Sequence, residues 1–171
     1  MDRVVVAVAL GSNLGDRRAH LEFACQRLAS LFERLRLSSV LETDPVGMTG
    51  TQSRFLNQAA VGETDRTARE TLEALLAIER ARGRERPFPL AARTLDLDLI
   101  LFGDARIDER DALEGPDLIV PHPRFREREF VLAPLAEIAA ALVDPVTGAT
   151  VAELLRRVRS RSSPAREGRL P

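Results

Sequence analysis

The spacing of hydrophobic and polar residues predicts a chain of alternating short strands and helices. Residues 4–10 are almost wholly apolar and rich in valine, which predicts a buried strand. Further strands are predicted over residues 35–43, 55–63 and 93–103. Apolar residues at helical spacing predict one helix after the first strand and another before the last. These residues are Leu21, Ala24, Cys25, Leu28, Leu31 and Phe32, and then Leu72, Leu75, Leu76 and Ile78.

Turn and cap residues define the ends of these elements. The stretch 11–16 is a glycine-punctuated turn, Thr67 and Glu70 match a capping box, and Gly83 should end the second helix. The order is then strand, helix, strand, strand, helix, strand, which is the ferredoxin-like split βαβ arrangement. We therefore expect an α+β fold, a ferredoxin-like βαββαβ sandwich with an antiparallel sheet.

The C-terminal part of the chain adds to this unit without forming a second one. A short strand is predicted over 105–108, a proline-bounded extended segment over 116–123, and helices over 130–141 and 151–158. Residues 159–171 have no apolar periodicity and are expected to be frayed or disordered. The prediction is a single domain over 1–158 with C-terminal additions and a tail over 159–171.

The strand RTLDLDLILFG, residues 93–103, carries the clearest chemistry. Strict alternation places Asp96, Asp98, Ile100 and Phe102 on one face. The two carboxylates have α-carbons roughly 6.5 to 7 Å apart, which suits the binding of one or two hard divalent cations such as Mg²⁺. A half-exposed antiparallel strand with solvated acids shows the same alternation and remains an alternative. The leucines predicted on the opposite, apolar face are Leu95, Leu97, Leu99 and Leu101.

Several arginines come shortly before this strand. Arginine binds phosphate through a planar, always charged fork, so arginines next to paired carboxylates indicate phosphoryl transfer. The arginines in question are Arg82, Arg84, Arg86 and Arg93.

Composition excludes some classes of chemistry. The 171 residues include no lysine, which excludes a P-loop lysine and a Schiff-base lysine. A net charge of -1 gives no reason to expect a nucleic acid or an anionic membrane as partner. Cys25 is the lone cysteine, which excludes an internal disulfide framework and suits a reducing cytoplasm. No signal peptide or membrane-spanning stretch is expected.

Four motifs together carry a family resemblance. GSNLGDR, FLNQA, RTLDLDLILFG and VPHPRFREREFVLAPLAEIA resemble the 6-hydroxymethyl-7,8-dihydropterin pyrophosphokinase family over roughly residues 4–150. The resemblance implies transfer of pyrophosphate from ATP to the pterin hydroxymethyl group, release of AMP, a ferredoxin-like fold and two Mg²⁺ ions. It also implies a cytoplasmic enzyme of folate biosynthesis, which we expect to be a monomer.

The resemblance also implies roles for individual residues. Asp96 and Asp98 would bind the metals and act in catalysis, and Arg84 and Arg93 would bind nucleotide phosphates and stabilise charge in the transition state. His122 and Arg128 would also contact the phosphates. For the pterin, the matching positions are the stacking residues Phe55 and Phe130, the amide Asn57, and the backbone-lined wall at Thr43 and Val46.

The chain departs from the family pattern at three places. Well-known members have Trp-Gly-Pro where this chain has residues 90–92, Leu-Ala-Ala. Leu76 stands where a glutamine can contact adenine, and Asp117 occupies a position that can be basic. We expect these changes to affect nucleotide binding and loop closure more than the carboxylate pair.

Two other classes of function fit parts of the pattern. A ferredoxin-like module that binds RNA on its sheet would need exposed aromatic residues and a basic excess, and the chain has no Tyr or Trp. A two-metal phosphohydrolase would use water as nucleophile and would not require Phe55, Asn57 and Phe130. AMP release that depends on the pterin separates the pyrophosphokinase from both.

Overall fold

The computed structural model describes residues 3–44, 53–83, 94–110 and 115–162. The strands are β1 (Val4–Ser12), β2 (Glu33–Leu37), β3 (Leu41–Thr43), β4 (Phe55–Thr64), β5 (Asp96–Phe102), β6 (Ile107–Glu109) and β7 (Leu118–Val120). The helices are α1 (Arg17–Leu31), α2 (Ala68–Ala81), α3 (Glu129–Ala139) and α4 (Val151–Ser162), with a 3₁₀ turn at Phe125–Glu127.

The main sheet is antiparallel and has the strand order β2-β4-β1-β5, with β3 paired beside β2 on β4. Strands β6 and β7 form a separate antiparallel pair. With α1 after β1 and α2 after β4, this is the predicted ferredoxin-like arrangement, which is confirmed. No helix in the described ranges is long and apolar enough to cross a membrane.

The predicted strand over 35–43 is two strands, and Ser38 lies at the break. Its backbone N–H donates to the Ala59 carbonyl at 2.9 Å, while its hydroxyl accepts from the Ala59 N–H at 2.9 Å. The side chain thus takes the place of a backbone carbonyl in the ladder, as serine readily does. The chain can then turn without leaving a buried amide unpaired.

Helices cover both faces of the sheet. Buried residues of α1 and α2 pack on one face and those of α3 and α4 on the other, so each face has its own apolar core. The C-terminal additions therefore cover the face that a bare βαββαβ unit would leave open to water. The α3–α4 face is also the one that carries Asp96 and Asp98.

A β-bulge in β5 makes part of the predicted alternation wrong. Ala7 pairs with Leu101 and Val8 with Leu99, so Ile100 is an extra residue without a partner on β1. Past this point the side chains exchange faces. Leu101 joins Ile100 in the core under α3 and α4, and Phe102 joins Leu99 in the core under α1 and α2. The bulge follows both acidic residues, so their predicted shared face is unaffected.

The structure confirms one predicted helix cap and extends one predicted helix. The capping box at α2 is present, with the Thr67 N–H donating to Glu70 Oε2 at 2.8 Å and the Glu70 N–H to Thr67 Oγ1 at 3.2 Å. Helix α4 runs to Ser162, four residues past its predicted end at Val158. Arg159 Nε donates to Glu129 Oε1 of α3 at 2.8 Å, so the first residues of the expected tail are helical. Residues 163–171 lie outside the described residues.

Candidate active site

The two acidic residues of β5 lie in rows that cross the sheet. Asp96 pairs with Gly11, which pairs with Asn57 on its other side, and Asp98 pairs with Ala9 in the next row. Asp96 and Asn57 are therefore two strands apart, about 10 Å between α-carbons. The β1 residues in these two rows are Gly11 and Ala9, whose side chains are only a hydrogen atom and a methyl group. The rows thus form a nearly flat floor with a carboxylate pair at one end and an amide at the other.

A cavity of about 440 Å³ lies over this floor. Phe55 of β4 and Phe130 of α3 both line it, as do Asp96 and Asp98. The far side is closed by Val158 and Ser162 at the end of α4, which sequence reasoning did not connect with the site. The sequence-predicted stacking residues and the carboxylate pair therefore face the same space, which is called the sheet cavity below.

Asn57 is held by its neighbour on β3. Its Nδ2 donates to Thr43 Oγ1 at 2.7 Å, and its side chain is buried. Thr43 and Phe55 are direct partners across the β3–β4 pair, which places three predicted pterin residues at one corner of the sheet cavity. Val46, another predicted pterin residue, lies outside the described residues.

His122 is fixed at the outer edge of β5. Its backbone N–H donates to the Ile100 carbonyl at 2.9 Å, at the bulge, and the Val120-Pro121 peptide bond, one residue before it, is cis. The Arg124 N–H donates to His122 Nδ1 at 3.2 Å, so in the neutral ring the proton is assigned to Nε2. Nε2 lies 3.9 Å from Asp98 Oδ2.

The electrostatic surroundings keep this imidazole neutral at pH 7. Burial, and after it the positive charge of Arg128, lower the pKa of His122 to about 4, although Asp96 acts in the opposite direction. Arg128 Nη1 lies 3.7 Å from Asp98 Oδ2, and its guanidinium lies 5.7 Å from the centre of the Phe130 ring. Asp98 therefore has a cation and a neutral N–H donor on adjacent sides.

A second cavity, of about 630 Å³, lies on the other side of β5. It is bounded by α2, the outer edge of β5 and the segment before His122, and it is called the edge cavity below. Asp98 lines both cavities, so the two meet at this carboxylate. Leu76 and Asp117, two of the positions that depart from the family pattern, both line the edge cavity.

Glu79 is a site residue that sequence reasoning missed. It is buried in α2, lines the edge cavity, and its Oε1 accepts from the Leu97 N–H at 2.7 Å. Leu97 lies between the two acidic residues on the edge strand of the sheet, so this carboxylate pairs an edge amide at that point. A signal existed, because Glu79 is spaced from Leu72 and Leu75 as a core residue of the same helix face would be.

Arg126, close to two predicted site residues, belongs to the scaffold. Its guanidinium donates two bonds to the buried Asp144, Nε to Oδ2 at 2.6 Å and Nη2 to Oδ1 at 2.8 Å. The sequence-predicted Arg84 and Arg93 lie outside the described residues, as do Arg86 and residues 90–92.

The metal-binding capacity of the described residues rests on the carboxylate pair. No group of three or more His, Cys, Asp or Glu side chains that could hold a metal occurs within the described ranges. Asp96 and Asp98 are half-buried on a cavity wall, which fits Mg²⁺, an ion usually held by one or two carboxylates together with substrate phosphates. They do not form the closed ligand shell of a structural metal site.

Solved structures with a similar fold are longer chains. The crystal structure titled Plasmodium falciparum HPPK-DHPS wild type with SDX-DHP matches with a TM-score of 0.77 at 14% identity. It covers 94% of this chain, which spans 45% of the solved one. At this identity the match supports the fold alone, and it agrees with the ferredoxin-like arrangement.

Sequence relatives cover most of the chain. The 2-amino-4-hydroxy-6-hydroxymethyldihydropteridine pyrophosphokinase of Bacillus subtilis is 42% identical over 150 residues, covering 85% of this chain and 84% of the relative. The protein of the same name from Pseudomonas aeruginosa is 40% identical over 152 residues, covering 88% and 89%. The family model described as 7,8-dihydro-6-hydroxymethylpterin-pyrophosphokinase matches residues 7–140. The chain belongs to the 7,8-dihydro-6-hydroxymethylpterin-pyrophosphokinase family.

Proposed function

We propose that the two cavities beside β5 bind the two substrates of one reaction, with the pterin in the sheet cavity and the nucleotide in the edge cavity. Membership of the family makes the chain a pyrophosphokinase of folate biosynthesis with ATP and 6-hydroxymethyl-7,8-dihydropterin as substrates. In this reaction the pterin hydroxyl oxygen forms a bond to the β-phosphorus of ATP. The bond from that phosphorus to the oxygen shared with the α-phosphate breaks, and AMP leaves with that oxygen and its electron pair, while the proton of the pterin hydroxyl is released.

The observation that carries the proposal is the position of Asp98, which lines both cavities. A hydroxymethyl group in the sheet cavity and a phosphate chain entering from the edge cavity would meet at this carboxylate. Bringing the two reacting atoms together at one place supplies a large part of the rate enhancement in reactions between two substrates.

Asp96 and Asp98 are the proposed ligands of two Mg²⁺ ions. When bound, the metal would neutralise charge on the phosphates and lower the pKa of the attacking hydroxyl, so no side-chain base is needed. The half-buried position of both carboxylates on the wall of the sheet cavity supports this assignment.

His122 and Arg128 are the proposed phosphate-binding groups among the described residues. Arg128 supplies a positive charge beside Asp98, and its guanidinium is a natural partner for phosphate oxygens. His122 supplies a neutral N–H donor, because the Arg124 N–H already occupies Nδ1. Arg84 and Arg93 are proposed to bind the same phosphates and to stabilise charge in the transition state, on the strength of their family positions.

The sheet cavity suits a flat ring with hydrogen-bonding edges. Phe55 and Phe130 are proposed to stack on the pterin, and Asn57 to bind its amide edge. Thr43, which accepts the Asn57 Nδ2 hydrogen at 2.7 Å, fixes the direction of that amide. Val46 is proposed to complete the wall.

The substrates are proposed to bind in the order Mg²⁺ and ATP first and the pterin second. We also propose that the enzyme is a monomer and acts in the cytoplasm. The lone, half-buried Cys25 is consistent with a reducing compartment.

The test is an assay of purified protein with ATP, Mg²⁺ and 6-hydroxymethyl-7,8-dihydropterin, in which AMP is separated by chromatography. A parallel reaction omits the pterin. AMP formed only with the pterin is the expected result. AMP formed equally without the pterin would indicate water as nucleophile, and no AMP from folded protein would contradict the proposal.

A further inference from the structure

Arg17 has a fixed position at the start of α1. Gly15 adopts a φ of +69°, which favours glycine, and Asp16 caps the helix by accepting from the Ala19 N–H at 3.0 Å. Arg17 is the first helical residue after this cap. The last residues of the GSNLGDR motif therefore fix the point on α1 from which the Arg17 guanidinium projects. The proposed substrate contacts give no reason for this arrangement.

The Arg17 guanidinium contacts both β3 and the residue directly before β4. Nη1 of Arg17 donates to Glu42 Oε1 of β3 at 2.9 Å and to the backbone carbonyl of Arg54, directly before β4, at 2.5 Å. The next residues, Thr43 and Phe55, are partners across the β3–β4 pair and line the sheet cavity. One side chain thus ties together the two chain segments from which these groups project.

Further ion pairs extend the connection. Glu42 Oε2 lies 3.5 Å from Arg54 Nη1, and Arg54 Nε donates to Asp44 Oδ1 at 2.8 Å. Exposed ion pairs of this kind contribute little singly. The Arg17 side chain, however, is only 29% exposed and makes a charged hydrogen bond to a carbonyl as well as to a carboxylate.

We infer that Arg17 is a positioning residue for pterin recognition, holding Thr43 and Phe55 at their working separation without touching the substrate. The inference rests on the proposed assignment of the sheet cavity to the pterin. Within the part of the chain that the structure describes, the contacts of Arg17 do not reach the edge cavity, so its effect should be confined to one substrate.

The kinetic test compares Arg17→Ala with the matched control Arg18→Ala, which removes the exposed neighbouring arginine of the same helical turn. Arg17→Ala should raise KM for the pterin about tenfold with KM for ATP unchanged. The reason is the loss of the charged hydrogen bonds that hold the segments carrying Thr43 and Phe55. Arg18→Ala should match the wild type, and Arg17→Lys should recover part of the loss. Equal rises in both KM values, or no rise, would overturn the inference.

A structural measurement tests the positioning role of Arg17 independently of the proposed function. Amide hydrogen exchange in peptides covering 41–44 and 53–57 should be faster in Arg17→Ala, and also in Glu42→Gln, which weakens the contact from the other partner. Unchanged exchange in both variants would overturn the anchoring role whatever the reaction is. Wild-type protein that makes no AMP with the pterin, yet shows faster exchange in the variants, would overturn only the assignment of the substrate.

Discussion

The sheet cavity and the edge cavity are built in different ways. The floor of the sheet cavity is formed by β1, β3, β4 and β5, where strand spacing and register set the separations of the side chains. Its other walls come from the segment 124–131 and the end of α4. The edge cavity is bounded by one helix, one strand edge and the segment before His122. Glu79 and His122 are placed there by contacts to the backbone of β5, with the Leu97 N–H donating to Glu79 Oε1 and the His122 N–H donating to the Ile100 carbonyl.

The difference agrees with two of the departures from the family pattern. Leu76 and Asp117 both line the edge cavity, whereas the predicted pterin residues Phe55 and Asn57 lie on β4 beside the sheet cavity. A side chain within the sheet packs against its cross-strand neighbours on either side, so replacing it disturbs several contacts. A residue at a cavity rim can change with fewer consequences.

The largest effect is expected where the two cavities meet. Asp98→Asn removes the charge shared by both and should lower kcat by about 1000-fold, the scale found when electrostatic stabilisation of a transition state is lost. The melting temperature should stay within a few degrees of the wild type. Asp104→Asn, which changes an exposed acid just past the other end of β5, is the control for kcat and stability. A large loss of thermal stability in metal-free buffer would indicate a structural acid instead.

A change confined to the sheet cavity should affect one substrate. Asn57→Ala removes the amide that Thr43 orients and should weaken pterin binding by about 10- to 100-fold, because the amide edge of the ring then lacks its partner. Binding of a non-hydrolysable ATP analogue should be unchanged. Calorimetric titration with the analogue and Mg²⁺, and then with the pterin in their presence, measures both quantities. Equal weakening of both would contradict the separation of the cavities.

The corresponding change at the edge cavity is at Glu79. Glu79→Leu leaves the Leu97 N–H without its acceptor and should raise KM for ATP about tenfold by disturbing the strand between the two acidic residues. Glu79→Gln keeps an acceptor oxygen and should stay within about threefold. Glu73→Gln, an exposed change on the same helix, is the control. A larger effect on KM for the pterin would contradict this assignment.

The smallest effect on activity is expected from the scaffold behind the sheet cavity. Burial raises the pKa of the Asp144 carboxyl, but hydrogen bonds from Arg126, Thr147 and the Val146 N–H outweigh it and lower the pKa to about 2. The unfolded value is about 3.9, so this stabilisation is present above pH 4 and is lost as the pH falls towards 2. Asp144→Asn should be about 2 kcal/mol less stable than the wild type at pH 6 and equal to it near pH 2.

Chemical denaturation across this pH range measures the difference. Activity of the folded Asp144→Asn variant at pH 7 should remain near the wild-type value, since Asp144 lines neither cavity. A stability difference that does not change with pH would show that the carboxylate charge is not the stabilising feature.

Periodicity predicted the order of the elements well because the long strands and the helices carry apolar patterns of their own, and because α1 and α2 begin at side-chain caps. The face of Asp96 and Asp98 was likewise predictable from alternation. Leu101 and Phe102 were placed on the wrong faces, since a bulge depends on pairing with β1 and leaves no mark in the local pattern.

The candidate site was predictable only through the residues that the family motifs contain. Glu79 was missed because its polar role is defined by a backbone amide 18 positions away. Arg17 was missed for a similar reason, since its contacts lie 25 and 37 positions along the chain. Interactions of this kind are set by tertiary structure and cannot be inferred from spacing alone.

The bulge at Ile100 divides β5 into two parts that can change independently during evolution. Substitutions after it alter only the packing of the two cores, while the residues before it determine which face the carboxylates occupy. Deleting Ile100 would restore strict alternation with Leu101 and Phe102 left in their present environments, because residues 99, 101 and 102 would then face the two cores in turn. Asp96 and Asp98 would keep their partners on β1, but the His122 N–H would lose the carbonyl that now accepts its hydrogen bond. The pairing of the carboxylates with β1 is thereby insulated from insertions and deletions beyond the bulge, whereas the position of His122 is not.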